Sequence, residues 1–343
     1  MILTRTPLRL SFLGGGSDLP LFYTHEEGAA VSVTLNKFVY TSLQPLSEPG
    51  LRLAYSKVET VSELGQIEHP IIRAALQNFS VGLQPQGLAG RPGLSLISTA
   101  DVGYGTGLGG SSSFTVGLVH ALKARASRLF AEPMVADATE LAMAASRIEI
   151  EQLGQPIGRQ DHFAAAYGGL SLFRFMPSGE VVVERIKMEP ARLQELECSC
   201  LLLDTGSSRS ASAVLSSYRE RLPELRSSIR EMKTLALRLK TVLETSHGKN
   251  WIDEVGDLLH EGWLKKRDWS PEISSTAIDE LYERGRQAGA LGGKIVGAGG
   301  GGFLMLLVRP ELQAQVRLSL SELKVFPIQF SSVGSELLQN SFS

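Results

Sequence analysis

Cysteine is almost missing: Cys198 and Cys200 are the only two in 343 residues. One residue apart on what reads as a strand, they neither close an ordinary disulfide nor complete a zinc site, so both are expected to be small core or edge residues in a reducing compartment. Long apolar runs are missing as well. No basic region followed by an apolar run opens the chain, and no stretch of roughly 18 apolar residues occurs in it, so a cytoplasmic protein without leader or membrane span is expected. Charge of one sign is also lacking. Lys and Arg number 34 against 36 Asp and Glu, a net charge of −2, which gives no basis for nucleic acid or an anionic membrane as partner. Nothing in the sequence speaks to oligomeric state.

Glycine, in contrast, is abundant. The 35 glycines exceed the usual share of about 7% and gather in a few clusters, which points to loops of special backbone geometry. The richest is Gly103 to Ser113, GYGTGLGGSSS. Before it, Leu94 to Thr99 (LSLIST) reads as a buried strand; after it, Phe114, Gly117, Leu118, Ala121 and Leu122 recur at helical spacing. A glycine loop that opens a helix brings free N–H groups and the positive dipole end to one place, which suits a phosphate. The hydroxyls of Ser111, Ser112 and Ser113 add ligands of the kind that Mg²⁺ prefers. Two familiar phosphate motifs are excluded or weak. No lysine follows Gly110, as a P-loop requires, and GTGLGG at Gly105 to Gly110 lacks an acidic strand end about twenty residues later, as a dinucleotide site would have.

At the N-terminus a strand with Leu8, Leu10 and Phe12 on one side and Arg9 and Ser11 on the other runs into Gly14, Gly15, Gly16, Ser17 and Asp18. Asp18 is placed either to bind a polyol or to cap the turn. Strands are expected over 29–43 and 51–56, a helix over 69–79, and a longer helix over 135–151 that ends in Glu149 and Glu151. Asp161 follows a glycine-bearing loop at the start of a small-residue helix, where capping is the simplest role. Beyond Gly169 come a hairpin over 170–175 and 181–186, a strand over 199–204, and helices over 211–246, 251–265 and 275–288. A second glycine cluster, Gly297 and Gly299 to Gly302, precedes the apolar strand Phe303 to Val308. The change of character at Gly168 and Gly169 places a domain boundary there, dividing the chain into residues 1–169 and 170–343.

Three segments, TPLRLSFLGGGSD, GTGLGGSSS and KIVGAGGGG, occur in this order and together resemble the three motifs of the GHMP kinases. Within that superfamily, RTPLRLSFLGGGSDLP, GRQDHFAAAYGG, TGSSRSA and LLHEGWLKKR make nearly the whole chain similar to the bacterial D-glycero-D-manno-heptose 7-phosphate 1-kinases. The resemblance implies an α+β protein with the two-domain GHMP kinase fold: an N-terminal domain like ribosomal protein S5 domain 2 and a ferredoxin-like C-terminal domain, with ATP and a sugar phosphate in the cleft. It also implies roles. Gly105, Gly107, Leu108, Gly109, Gly110, Ser111 and Ser112 would hold the ATP phosphates, and Ser111, or else Ser112, would ligate Mg²⁺ with Glu149. Asp161 would accept the proton of the anomeric hydroxyl with Arg9 beside it. Asp18, with Gly15, Gly16 and Ser17, and with Gly299 and Gly300, would contact the sugar.

A sugar phosphate also needs an anion clamp, for which Arg159, Arg209, Lys265, Lys266 and Arg267 are the candidates. The chain departs from the family in places. Gly103 and Tyr104 stand where prolines are common, Gly110 replaces a Ser or Thr, and LKKRDWS lacks the serine-rich run that follows the arginine in the heptose kinases. A kinase of another sugar, such as fucose, and a catalytically silent sensor of sugar or nucleotide are the alternatives.

Overall fold

The structure, a computed structural model, describes residues 1–79, 93–130, 137–206, 214–217, 221–246, 248 and 250–341. In chain order its first half runs β1 (Ile2–Leu13), α1 (Pro20–Tyr23), β2 (Gly28–Leu46), β3 (Leu51–Ala54), β4 (Val58–Val61), α2 (Pro70–Phe79), β5 (Gly93–Ala100), α3 (Gly110–Phe130) and α4 (Ala138–Ser146). After a π-helical segment, Arg147–Gln152, come α5 (Gln160–Tyr167), β6 (Leu170–Phe175) and β7 (Val181–Arg185). The second half comprises α6 (Pro190–Ser199), β8 (Cys200–Asp204), α7 (Leu222–Thr245), α8 (Trp251–Arg267), α9 (Thr276–Gln287), β9 (Ala290–Ile295), β10 (Phe303–Val308), α10 (Gln313–Ser319), β11 (Lys324–Val325), β12 (Phe330–Ser331) and β13 (Glu336–Asn340).

Two sheets organise these elements, in the α+β arrangement expected. The first has nine strands in the order β13-β1-β2-β5-β3-β4, with β6 and β12 also paired to β2 and β7 paired to β6; the second has four, β11-β8-β10-β9, all antiparallel. Strand pairing crosses the expected domain boundary at 169/170. β6 continues on β2, from Val33 opposite Leu170 to Gly28 opposite Phe175, and the C-terminal β13 returns to pair with β1.

β1 is the strand that both halves share. Leu8, Leu10 and Phe12 lie in one core cluster with Ile229 and Met232 of α7 and Trp263 of α8. Its other side was expected to be polar and is also buried, because α3 and α5 pack there. Thr4 donates its hydroxyl to the Gly117 carbonyl at 3.0 Å. A Cβ on Gly117 would fall 2.7 Å from the Thr6 hydroxyl, so the glycine lets α3 approach the strand closely. α7 shows the stripe that builds the core: Leu225, Ile229, Met232, Leu235, Ala236, Leu239 and Leu243 are buried at spacings of three and four.

Two local expectations are corrected. The helix expected over 135–151 is interrupted: Asp137 caps α4 by accepting from the Glu140 N–H at 2.7 Å, and after Ser146 the backbone widens into the π-helical segment. The two cysteines do not share a strand, since exposed Cys198 lies in α6 and buried Cys200 opens β8. Among the described residues no helix is long and apolar enough to cross a membrane.

Candidate active site

An open cleft lies between the ends of β1, α3, α5 and α8. Its walls include Gly15, Gly16, Asp18, Gly103 to Gly107, Gly109 to Ser112, Glu149, Asp161, Arg9, Lys266 and Gly297.

One wall is the first glycine loop. Gly105, Gly107 and Gly109 have φ of 81°, 86° and 76°, in the left-handed region that residues with a Cβ avoid. At Gly107 the need is also steric: a Cβ would sit 2.4 Å from the Val296 carbonyl oxygen. The loop ends where α3 begins, so the first-turn N–H groups at Gly110, Ser111 and Ser112 have no acceptor within the helix. Ser111 Oγ donates to Glu149 Oε1 at 2.6 Å, and His162 Nε2 bonds Glu149 Oε2 at 2.7 Å. Burial alone would push this carboxyl up, yet the hydrogen bonds from His162 and Ser111 outweigh it and hold it below the usual carboxylate value.

The facing wall carries Asp161, Asp18 and Lys266. Asp161 stands in the first turn of α5, where Arg9 Nε donates to Oδ1 at 2.6 Å and Arg9 Nη2 donates to Oδ2. The same guanidinium donates from Nη1 to the Gly107 carbonyl at 2.6 Å, so a single side chain ties the carboxylate to the glycine loop. Asp18 accepts from the Gly16 N–H at 2.9 Å and from the Gln160 N–H at 3.3 Å. Burial, with Asp161 nearby, raises its carboxyl nonetheless. Lys266 donates to the Gly297 carbonyl at 2.5 Å and is pushed down to about 8, chiefly by burial and with Arg9 contributing, against the attraction of Asp18.

The expected site residues divide into two groups. Arg9, Gly15, Gly16, Asp18, Gly105, Gly107, Gly109, Gly110, Ser111, Ser112, Glu149, Asp161 and Lys266 all line the cleft. The others do not. Leu108 is buried, and its carbonyl accepts from the Arg9 N–H at 3.0 Å. Ser17 is spent on the turn, donating to the Gly14 carbonyl at 2.8 Å and accepting from the Ala29 N–H at 3.0 Å. The Gly300 N–H donates to the Ile273 carbonyl at 2.8 Å, and Gly299 lies against the same residue. Thus these two glycines pack behind the site. Arg159 donates to the Gly179 carbonyl at 2.7 Å and to Glu151 at 3.2 Å, so Glu151 is engaged away from the cleft. Lys265 pairs with Glu231 at 2.6 Å, and Arg267 with Asp279 at 3.1 Å. Arg209 lies outside the described residues.

Three contributors escaped the sequence reading. Lys294 is buried and donates from Nζ to the Ser11 and Phe12 carbonyls at 2.9 and 3.1 Å, close enough to Lys266 and Arg9 to be held well below the usual lysine value, burial being the main cause. Its signal was a lysine inside the apolar run KIV. His162 is wholly buried against Glu149. Glu149 itself falls four residues after buried Ala145, so a carboxylate on the apolar stripe was the signal there. Gly158 is the third, since a Cβ would lie 1.9 Å from Asp18 Oδ2.

The family description "GHMP kinases N terminal domain" fits residues 71–169, and "GHMP kinases C terminal" fits residues 246–324. The chain is 27% identical over 318 residues to the D-glycero-alpha-D-manno-heptose 7-phosphate kinase of Campylobacter jejuni, covering 90% of each chain. It is 26% identical over 345 residues to the bifunctional fucokinase/GDP-fucose pyrophosphorylase of Arabidopsis thaliana, covering 94% of this chain and 31% of that one. In fold it is similar to a D-glycero-D-manno-heptose 1-phosphate kinase from Bacteroides thetaiotaomicron, with a TM-score of 0.76 and 24% identity over 99% of each chain.

Proposed function

The chain belongs to the GHMP kinases, and from that premise we propose that it transfers a phosphoryl group from ATP to the anomeric hydroxyl of D-glycero-D-manno-heptose 7-phosphate. The 1,7-bisphosphate product would feed nucleotide-activated heptose for surface glycans, in the cytoplasm. The observation that carries the reading is the Arg9 guanidinium, which holds the Asp161 carboxylate on one side and the Gly107 carbonyl of the phosphate loop on the other. Proton acceptor and phosphate cradle are thereby kept in one frame. A catalytically silent sensor would have no use for that link.

Phosphoryl transfer needs in-line positioning and charge neutralisation more than covalent chemistry. The amides at Gly110, Ser111 and Ser112 bind and orient the phosphates. Asp161 accepts the proton of the attacking hydroxyl, and Asp18 accepts hydrogen bonds from other hydroxyls of the sugar. Lys266 brings positive charge to the point where acceptor and nucleotide walls meet. Ser111 Oγ and Glu149 Oε1, two hard oxygens on the cleft wall 2.6 Å apart, fit a magnesium ion, which would neutralise phosphate charge when bound.

A second reading, an unphosphorylated sugar such as fucose, is favoured by one observation. Of the proposed anion clamp, Arg159, Lys265 and Arg267 are engaged elsewhere, and Lys266 alone of the described candidates lines the cleft. ATP consumption with a panel of sugars and sugar phosphates separates the readings. Turnover with heptose 7-phosphate is expected; turnover confined to unphosphorylated sugars would transfer the assignment to the second reading.

A further inference from the structure

His162 and Glu149 are both fully buried, with side-chain exposure of 0% each. An ionised carboxylate can only accept, so the 2.7 Å contact is a donation from His162 Nε2 to Oε2. Among the described residues the other ring nitrogen, Nδ1, has no partner. The imidazole therefore has one polar contact, and it is to the carboxylate whose other oxygen accepts from Ser111, a residue of the cleft wall. Glu149 sits in the π-helical segment, whose widened turn is closed by the Leu153 N–H on the Ile148 carbonyl at 3.0 Å. Such segments recur at functional sites because the extra residue re-aims a side chain.

From this geometry we infer that His162 is the positioning residue for the metal-facing carboxylate: it occupies Oε2 and so keeps Oε1 turned to Ser111 and the cleft. The inference rests on the reading of Ser111 and Glu149 as magnesium-holding oxygens. It adds a coupling between two functions. His162 follows Asp161 in the first turn of α5, so one peptide unit and one hydrogen bond fix the proton acceptor relative to the metal carboxylate. A shift of α5 would move both together.

The test is Mn²⁺ affinity, read by electron paramagnetic resonance in the presence of a non-hydrolysable ATP analogue, for the wild type, His162→Phe and Glu149→Gln. Partners that orient metal-ligating groups typically change metal affinity about 10- to 100-fold. A loss of that size is expected in His162→Phe, with analogue affinity without metal unchanged and partial recovery in His162→Gln. Wild-type metal affinity in His162→Phe, with Glu149→Gln impaired, overturns the inference; wild-type affinity in both variants overturns the reading of Glu149 instead. Should His162→Phe not fold, the ring ¹⁵N signals of wild-type His162 decide. They are expected to shift when Mg²⁺ is added to the nucleotide complex, and unchanged signals overturn the inference.

Discussion

The two walls of the cleft are built on opposite electrostatic plans. On the phosphate-loop wall the buried charge is satisfied within the protein: Glu149 takes hydrogen bonds on both oxygens and is held below its usual value despite complete burial. On the acceptor wall the buried groups remain under stress. Burial raises Asp18, lowers Lys266 to about 8, and holds Lys294 behind them well below the usual lysine value. Desolvation that the protein's own partners do not offset is relieved by a ligand with complementary groups. On the proposed function, the phosphate-loop wall would be preorganised for the nucleotide, while the facing wall would keep interactions that only the proper acceptor completes.

The largest break in this contrast is expected at Asp161, the carboxylate that Arg9 ties to the glycine loop. Asp161→Asn is expected to lower kcat by about a thousandfold, within the range for a general base, while leaving nucleotide affinity nearly unchanged in a binding titration. A comparable loss of nucleotide binding would mean that Asp161 serves the other wall.

Lys266→Met comes next. A lost hydrogen bond to a charged group is worth about 1.5–3 kcal/mol, which corresponds to a fall of roughly 10- to 100-fold in kcat/KM for the acceptor. The pH profile sharpens this. The amine is charged below about 8 and neutral above it, so wild-type kcat/KM is expected to fall as pH rises through 8. In Lys266→Met that alkaline limb should be absent.

On the nucleotide wall the effects are steric. Gly107→Ala would put a Cβ 2.4 Å from the Val296 carbonyl at φ of 86°. A strain of about 1–3 kcal/mol should appear as a lower melting temperature and a KM for ATP raised about tenfold. Gly110→Ala meets nothing within 4 Å and should stay within about 0.5 kcal/mol of the wild type, as measured by denaturant unfolding. The smallest change is expected for Arg267→Gln. This part-exposed ion pair with Asp279 lies off the cleft, such pairs are worth about 0–1 kcal/mol, and turnover should change less than about twofold.

The two glycine clusters show what the sequence could and could not tell. Gly103 to Gly110 was legible because a strand precedes it and a helix follows, and that context fixes where its amides point. Gly299 and Gly300 have the same composition and similarly positive φ, but they contact Ile273. Glycine content marks close approach without saying whether a ligand or the protein's own backbone does the approaching. The basic residues failed for a related reason. Lys265, Lys266 and Arg267 are consecutive, yet α8 turns one into the cleft and the others toward Glu231 and Asp279, a choice set by packing of the helix. Lys294 was hidden because its partner, the end of β1, is distant in sequence; His162 lies near Glu149 in sequence, but the π-helical segment that turns the carboxylate toward it carries no sequence signal.

Phosphorylation of an anomeric hydroxyl chosen by the acceptor wall is tested most directly by the ³¹P and ¹³C NMR spectrum of the product formed from ATP and heptose 7-phosphate. A new phosphate signal coupled to C1, with the phosphate at C7 retained, is the predicted result. ADP formation with only inorganic phosphate, or a new phosphate on any carbon other than C1, would contradict it.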